Sequence, residues 1–183
     1  MQRERMVSEA GFSLTEVAVA AGIFASALVG LADVFTQAVT AGLAARRTSY
    51  ASLLAQQKLE ELESLAFGLE PDGRPVTDTL SDTAQQPVAR AGGTGLAPSP
   101  PDTLERDTGG FVDYVHVDGR RTADAAEGAP FVRRWAVTPA PDDAADTLVI
   151  QVVVTDRPGR TPSGGTRLAG EARVFTVRTR VAP

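Results

Sequence analysis

A single carboxylate interrupts the most apolar part of this sequence. Glu16 follows the string Gly11-Phe12-Ser13-Leu14-Thr15 and precedes the stretch from Val17 to Ala32, which holds no charge. A carboxylate in a hydrocarbon environment costs at least about a few kcal/mol unless a cation neutralises it or it lies near the lipid headgroups. The position of Glu16 therefore needs a physical reason.

The segment around Glu16 has the length and composition of a membrane-spanning helix. Residues 1–11 are polar, and the composition changes abruptly at Phe12. With Phe12 and Leu14 the apolar zone reaches about 20 residues, enough to span about 30 Å of hydrocarbon at about 1.5 Å per residue. We expect residues 12–33 to form the transmembrane half of a longer helix.

The string from Gly11 to Glu16, with an apolar helix behind it, resembles the processing site of type IV prepilins and type II secretion pseudopilins. In that family a membrane aspartyl protease, the prepilin peptidase, cuts after the glycine and methylates the new amino terminus. The resemblance implies cleavage between Gly11 and Phe12, N-methylation of Phe12 and a removed leader of residues 1–11. It also implies that Glu16 meets the terminal ammonium of a neighbouring subunit, which would make the buried carboxylate tolerable.

Each of these residues also has an ordinary structural interpretation. Gly11 is compatible with a loop, and Phe12 with an aromatic side chain at a membrane interface. Glu16 suits the first turn of a helix because the helix dipole favours acids there, with Ser13 or Thr15 as the cap.

Two other fates of the N-terminal segment stay open. Ala25-Ser26-Ala27 satisfies the small-residue rule of ordinary signal peptidase, whose cut before Leu28 would release a secreted or periplasmic β-rich binding module. That interpretation requires an unusually long polar region containing several glutamates. The third alternative is a single-span membrane protein that keeps residues 1–11.

Small residues recur every four positions in the apolar helix, at Ala18, Gly22, Ser26 and Gly30. Small faces let helices approach closely in lipid, so this stripe is a candidate packing line between subunits. Frequent alanine and glycine in this stretch would produce the same pattern without any such role.

The helical pattern continues well past the apolar zone, since no proline follows Asp33 until Pro71. Residues 34–67 form an amphipathic half. Its apolar side is Leu43, Tyr50, Leu53, Leu54, Leu59, Leu62 and Leu65, and its other sides carry Arg46, Arg47, Lys58, Glu60, Glu61 and Glu63. A helix from about Phe12 to about Phe67, stopped by Gly68, would measure about 84 Å. Half of such a rod should project, which is the pilin lollipop shape.

The second half of the chain divides into a loop and a sheet. Residues 68–110 are rich in Pro, Gly, Asp, Ser and Thr and predict a long flexible surface loop. Residues 111–183 predict an antiparallel β head of about four strands. These strands are 111–117, 131–138, 148–155 and 172–181.

Alternation within two of those strands predicts which residues are buried. Phe131 and Trp135 in one strand, and Phe175 and Val177 in the other, are expected to face the core, with arginines on the opposite face. Laid against the leucine side of the helix, this sheet gives an α+β fold of the pilin type.

Composition and motifs exclude several classes of function. The net charge of −5 offers no basic patch for nucleic acid, and the chain has no cysteine for disulfides or thiolate chemistry. His116 has no metal-spaced partner, Asp142, Asp143 and Asp146 favour a solvated hairpin turn over a calcium loop, and Gly92-Gly93-Thr94-Gly95 lacks the lysine of a phosphate loop. We expect no enzyme activity, no metal and no cofactor.

The sequence thus predicts a structural subunit, either a minor pilin of the V type or a pseudopilin. The absence of the proline that many major pilins carry near Asp33 favours those two classes. Implied partners are the prepilin peptidase, other pilin or pseudopilin subunits, the inner-membrane assembly platform and lipid. The expected location is the inner membrane, in a single pass with a periplasmic head, and then the fibre. A pilus and a type II secretion pseudopilus are equally compatible with these residues.

Overall fold

The computed structural model describes residue 11 and residues 13–122, 128–156 and 171–180. The chain forms two compact units, of which the first ends at Leu43 and the second begins at Ala44. In the first unit the described secondary structure is helical. The second unit contains the sheet and the helical residues that pack on it.

One helix, α1, runs from Leu14 to Glu63. Ser13 caps its first turn. No proline and no non-helical residue interrupts the helix along its length. It ends before the predicted position near Phe67, and Gly68 is not its stop. Directly after its last residue, Ser64 donates a side-chain hydrogen bond of 2.6 Å to the carbonyl oxygen of Glu61.

In the part of the chain that the structure describes, seven strands follow the helix. They are β1 (Phe67–Leu69), β2 (Pro75–Thr77), β3 (Val112–Val115), β4 (Arg121–Thr122), β5 (Phe131–Ala140), β6 (Asp143–Thr155) and β7 (Ala172–Thr179). β1 and β2 pair with each other, while the other five form one antiparallel sheet in the order β4-β3-β5-β6-β7. The predicted α+β class and antiparallel sheet are confirmed, but the sheet has five strands rather than about four. The fifth strand, β4, is only two residues long, too short to show alternation.

The core of the second unit lies between the helix and one face of the sheet. Ala51, Leu54, Ala55 and Leu62 of α1 pack in one cluster with apolar residues of β5 and β6. Trp135 is fully buried there, as predicted, and lies opposite Val152 in the register. Burial of these side chains is the main force that holds the sheet to the helix.

The predicted faces of β7 are wrong. Phe175 is 74% exposed and Val177 is 56% exposed, whereas Val174 and Arg178 are half-buried on the side of the helix. The register explains the inversion, because Val174 lies opposite the buried Val152. β7 thus turns its more apolar set outward.

The predicted outward arginine of β5 is buried as well. Arg134 is 1% exposed, and its Nε donates a 2.7 Å hydrogen bond to Asp107. Asp107 lies in the segment before β3, and its carboxylate offsets the desolvation cost of burying this guanidinium. Sequence alternation alone contains no sign of it.

Residues 68–110 are not a bare surface loop. They contain the β1–β2 pairing and an isolated bridge between Asp82 and Ala89, and they bury Leu96 to 1% exposure. The glycines of this stretch serve close packing, since a Cβ on Gly93 would lie 2.1 Å from the Cα of Asp82. A composition rich in Gly and Pro is therefore compatible with a packed segment as well as with a flexible loop.

Candidate functional site

Gly11, the residue predicted to precede the cut, is accessible in the segment just before the helix. A Cβ built on Gly11 would meet no atom within 4 Å, and Gly11 is exposed. Phe12 and residues 1–10 lie outside the described residues, so the predicted cut and the methylated position are not located by the structure. Ser13 accepts hydrogen bonds from the backbone N–H of Glu16, 3.0 Å at its carbonyl oxygen and 3.3 Å at its hydroxyl. Ser13 is therefore the cap.

Glu16 lies in the first turn of α1 and is exposed. Among the residues that the structure describes, no cation lies within ion-pair distance of its carboxylate. The helix dipole favours an acid at this position, but a dipole does not supply the cation that a carboxylate requires in lipid.

The first half of α1 exposes its apolar side chains to an unusual degree. Every residue from Leu14 to Leu43 is exposed, including Phe24 at 65% and Phe35 at 70%. The helix reaches a mean hydropathy of 2.1 over its most apolar 18 residues. It is long and apolar enough to cross a membrane, a property that signal sequences share.

The stripe of small residues runs along this exposed half. Ala18, Gly22, Ser26 and Gly30 are all exposed, and a Cβ on either glycine would meet nothing within 4 Å. Ser26 turns its hydroxyl to the carbonyl oxygen of Ile23, at 2.8 Å, so its polar group is satisfied within the helix. The stripe thus has room for a second helix along its whole length.

A second cluster of charges lies inside the head, and the sequence did not predict it. Arg133 of β5 and Asp113 of β3 face each other in the register and are both fully buried. Arg133 donates two hydrogen bonds to the Asp113 carboxylate, at 2.9 Å from Nε and 2.6 Å from Nη2. It donates a third to the carbonyl oxygen of Leu54, at 3.1 Å, which ties the helix to the sheet.

Lys58 of α1 enters the same cluster. Its side chain is fully buried, and its Nζ lies 3.7 Å from Asp113, 3.7 Å from Glu61 and 3.7 Å from the centre of the Trp135 ring. Nζ also donates a hydrogen bond to the carbonyl oxygen of Thr83. Burial lowers the pKa of Lys58 to about 8, although the Asp113 carboxylate opposes that shift.

The cluster is completed at its rim by Arg121 of β4. Its Nη1 donates a 2.7 Å hydrogen bond to one oxygen of Glu61, while the other oxygen of Glu61 is buried without a hydrogen bond in the described structure. Lys58, Arg121 and Arg133 against Glu61 and Asp113 leave one excess positive charge. The cluster joins the helix, the sheet and the segment around Thr83. Its role is therefore to hold these parts of the head together.

The helix sequence held one signal of this cluster. Lys58 stands at the spacing of the buried residues Leu54 and Leu62, on the apolar side of α1. Assigning it to a polar side was wrong, because a lysine on a leucine face is either a snorkelling side chain or a buried charge with partners. The partners Asp113 and Arg133 come from distant strands and are visible only in the fold.

The other candidate residues have local roles. His116 follows β3, with its Nε2 3.4 Å from a guanidinium nitrogen of Arg120. Asp142 and Asp143 lie where β5 turns into β6, and Asp143 accepts a 2.8 Å hydrogen bond from Thr147. Across the described ranges no three His, Asp or Glu side chains form a metal-binding group.

Comparison with known proteins adds no relative to these observations. Neither a protein-family model, nor a curated protein, nor a solved structure matches the chain. The functional inference therefore depends on the residues themselves.

Proposed function

We propose that this chain is a structural subunit, a minor pilin or a pseudopilin, that is assembled through its N-terminal helix. The observation that carries the proposal is the string from Gly11 to Glu16 directly before a helix whose first half is wholly exposed. Prepilin peptidase would cut after Gly11 and methylate Phe12. The mature subunit would then start at the residue before the Ser13 cap.

The charge of Glu16 supports this order of events. Cleavage creates an ammonium at Phe12, and a neighbouring subunit in the fibre core would bring that cation to Glu16. The pair would form only on assembly, since a carboxylate without a cation is costly in an apolar medium. Before assembly, Glu16 would remain near the headgroups at the end of its helix.

The exposed first half of α1 supports membrane anchoring and then fibre packing. Apolar side chains from Val17 to Phe35 would face lipid in the inner membrane, with the head on the periplasmic side. In the fibre the same side chains would face other subunits. The stripe at Gly22 and Gly30 would then be one line of close approach.

Mass spectrometry of the mature chain tests the proposal. The full-length gene is expressed with a prepilin peptidase, and intact mass and N-terminal sequencing are recorded. We expect a chain that starts at N-methylated Phe12. A chain that starts at Leu28 would show ordinary signal cleavage and a released binding module, and one that keeps residues 1–11 would show a simple membrane anchor.

A further inference from the structure

A second acid, Asp33, interrupts the exposed first half of α1. Between Glu16 and Asp33 the helix carries no charge, and the two acids lie about 25 Å apart along its axis at about 1.5 Å per residue. Residues 34–43, which follow Asp33, are also free of charge and exposed. We name residues 34–43 the outer segment; its large apolar side chains are Val34, Phe35, Val39 and Leu43.

Asp33 has no cation beside it in the part of the chain that the structure describes. No described Lys or Arg lies within ion-pair distance of its carboxylate, and α1 has no basic residue before Arg46. Arg46 lies about 20 Å further along the helix axis, which is too far for contact. Because an unpaired carboxylate is costly in hydrocarbon, Asp33 belongs in water or among lipid headgroups.

The exposed, mainly apolar part of α1 is longer than the hydrocarbon of a bilayer. Residues 14–43 are all exposed and measure about 45 Å along the helix axis, whereas the hydrocarbon is about 30 Å thick. Length alone therefore allows two positions of the helix in a membrane. In the first, Asp33 lies at the outer headgroups. In the second, Arg46 lies there and Asp33 is about 20 Å inside.

The direction of helical side chains favours the first position. Side chains on a helix lean toward its N-terminus, so the short side chain of Asp33 leans back toward the hydrocarbon and its backbone must lie outside. With Asp33 just outside the outer limit, Glu16 lies about 5 Å inside the inner limit. The longer side chain of Glu16 leans toward that inner surface and reaches the headgroups. The second position would instead bury Asp33 near the bilayer centre without a cation.

We propose that Asp33 sets the depth of α1 in the membrane, at the outer headgroups, so that the outer segment lies beyond the hydrocarbon. Phe35 would lie in the headgroup layer, and Val39, about 9 Å past Asp33, at the outer limit of that layer. This inference rests on the proposed function, in which α1 crosses the inner membrane and the residues after the span are periplasmic. Entry into a fibre would then remove only the residues before Asp33 from hydrocarbon.

Cysteine labelling tests this depth, because the chain has no cysteine of its own. Leu28→Cys, Val39→Cys and Leu43→Cys are matched, since the native side chains are 50%, 45% and 52% exposed in the chain itself. Each full-length variant is expressed without other fibre subunits, and spheroplasts are treated with a membrane-impermeant maleimide. Labelling is normalised to that of the denatured chain. We expect Val39→Cys and Leu43→Cys to react at least about tenfold more than Leu28→Cys.

Replacing Asp33 in the Val39→Cys background tests whether this acid sets the depth. Without the charge, in Asp33→Leu, the helix can slide until Arg46 reaches the headgroups, which also carries Glu16 out of the hydrocarbon. We expect labelling of Val39→Cys to fall about three- to tenfold. Gln37→Leu is the matched control, because it adds an apolar side chain but keeps the acid, and should leave labelling nearly unchanged. Asp33→Glu, which keeps the charge, should also react like the parent.

Two results would overturn the inference alone. One is protection of Val39→Cys equal to that of Leu28→Cys, and the other is unchanged labelling of Val39→Cys after Asp33→Leu. Labelling of all three cysteine positions, with release of the chain by alkaline carbonate, would overturn membrane anchoring and this inference with it. Because the assay needs neither cleavage nor a fibre, it and the N-terminal sequencing can fail separately.

Discussion

Each half of α1 carries a charged residue among apolar ones, but the surroundings of the two charges are opposite. In the first half, Glu16 is exposed within an apolar helix and has no cation near it among the described residues. In the second half, Lys58 is fully buried, with Asp113 and Thr83 beside it. The fold supplies partners for the lysine from within the head, whereas no cation among the described residues pairs with the glutamate. This difference separates the part of the helix that builds the head from the part proposed to build the fibre.

The largest effect is expected at the processing site. Gly11→Leu should abolish removal of residues 1–11, because the proposed peptidase requires the small residue before the cut, and intact mass would show the full-length chain. Gly42→Leu is the control, since a Cβ there also meets nothing within 4 Å. Normal processing of the Gly11 variant would remove the proposed role of this residue.

A change at Glu16 should separate cleavage from assembly. Glu16→Ala should leave processing and membrane insertion intact but prevent incorporation into the fibre, because the neighbouring ammonium loses its carboxylate. Quantitative blotting of sheared fibres against total cells measures this. Asp33→Ala, at the other end of the apolar half, should be incorporated normally; equal losses in both variants would argue for a general effect of charge.

In the head, the largest effect on stability is expected at Asp113. Asp113→Ala leaves Arg133 and Lys58 as two buried cations without their shared carboxylate, which should lower the free energy of unfolding by about 3–5 kcal/mol. Urea titration of the full chain in micelles measures it. Asp72→Ala removes an exposed acid that contacts Arg74 at 2.6 Å and should leave the urea midpoint unchanged. Similar shifts in both variants would mean that burial of Asp113 is unimportant.

Replacing the buried lysine should cost much less than removing its acid. Lys58→Met keeps the volume and removes a charge that is expensive to bury, while Asp113 keeps both hydrogen bonds from Arg133. We expect the free energy of unfolding at pH 7 to change by less than about 1.5 kcal/mol, by analogy with buried ion pairs replaced by apolar residues. A loss as large as that of Asp113→Ala would show that the lysine is itself essential to the cluster.

At pH 7 the titration of Lys58 has almost no effect on stability, and the Lys58→Met variant isolates the pH dependence that appears at higher pH. The pKa of Lys58 is lowered from 10.5 to about 8 in the folded head, chiefly by burial, so the unfolded chain holds the proton more tightly between these values. Raising the pH through this window therefore favours the folded state, by about 3 kcal/mol at most. The stability difference between wild type and Lys58→Met should be flat below about pH 8 and rise above it. A difference that falls above pH 8 would show that attraction to Asp113 outweighs burial.

Hydrophobic periodicity predicted the structure correctly where each face of a helix or strand meets a single environment. The helix, the positions of β5 and β6, and the burial of Trp135 all followed from period and composition. The pattern failed in β7, where an edge strand with two mixed faces has no single solvent side. It also failed at Arg134, because long-range partners such as Asp107 make an apparently exposed arginine buried.

The sequence by itself determined the N-terminal segment of this protein. The proposed cleavage motif, the apolar length and the solitary Glu16 are all local in the chain, so the expectations attached to Gly11, Phe12 and the small-residue stripe need no fold to be stated. In the head, only the tertiary structure decided which side chains meet, because register placed Asp113 beside Arg133 and turned Phe175 outward. The physical reason is distance along the chain. The proposed processing motif is contiguous in sequence, whereas a buried charge cluster exists only once remote strands are paired.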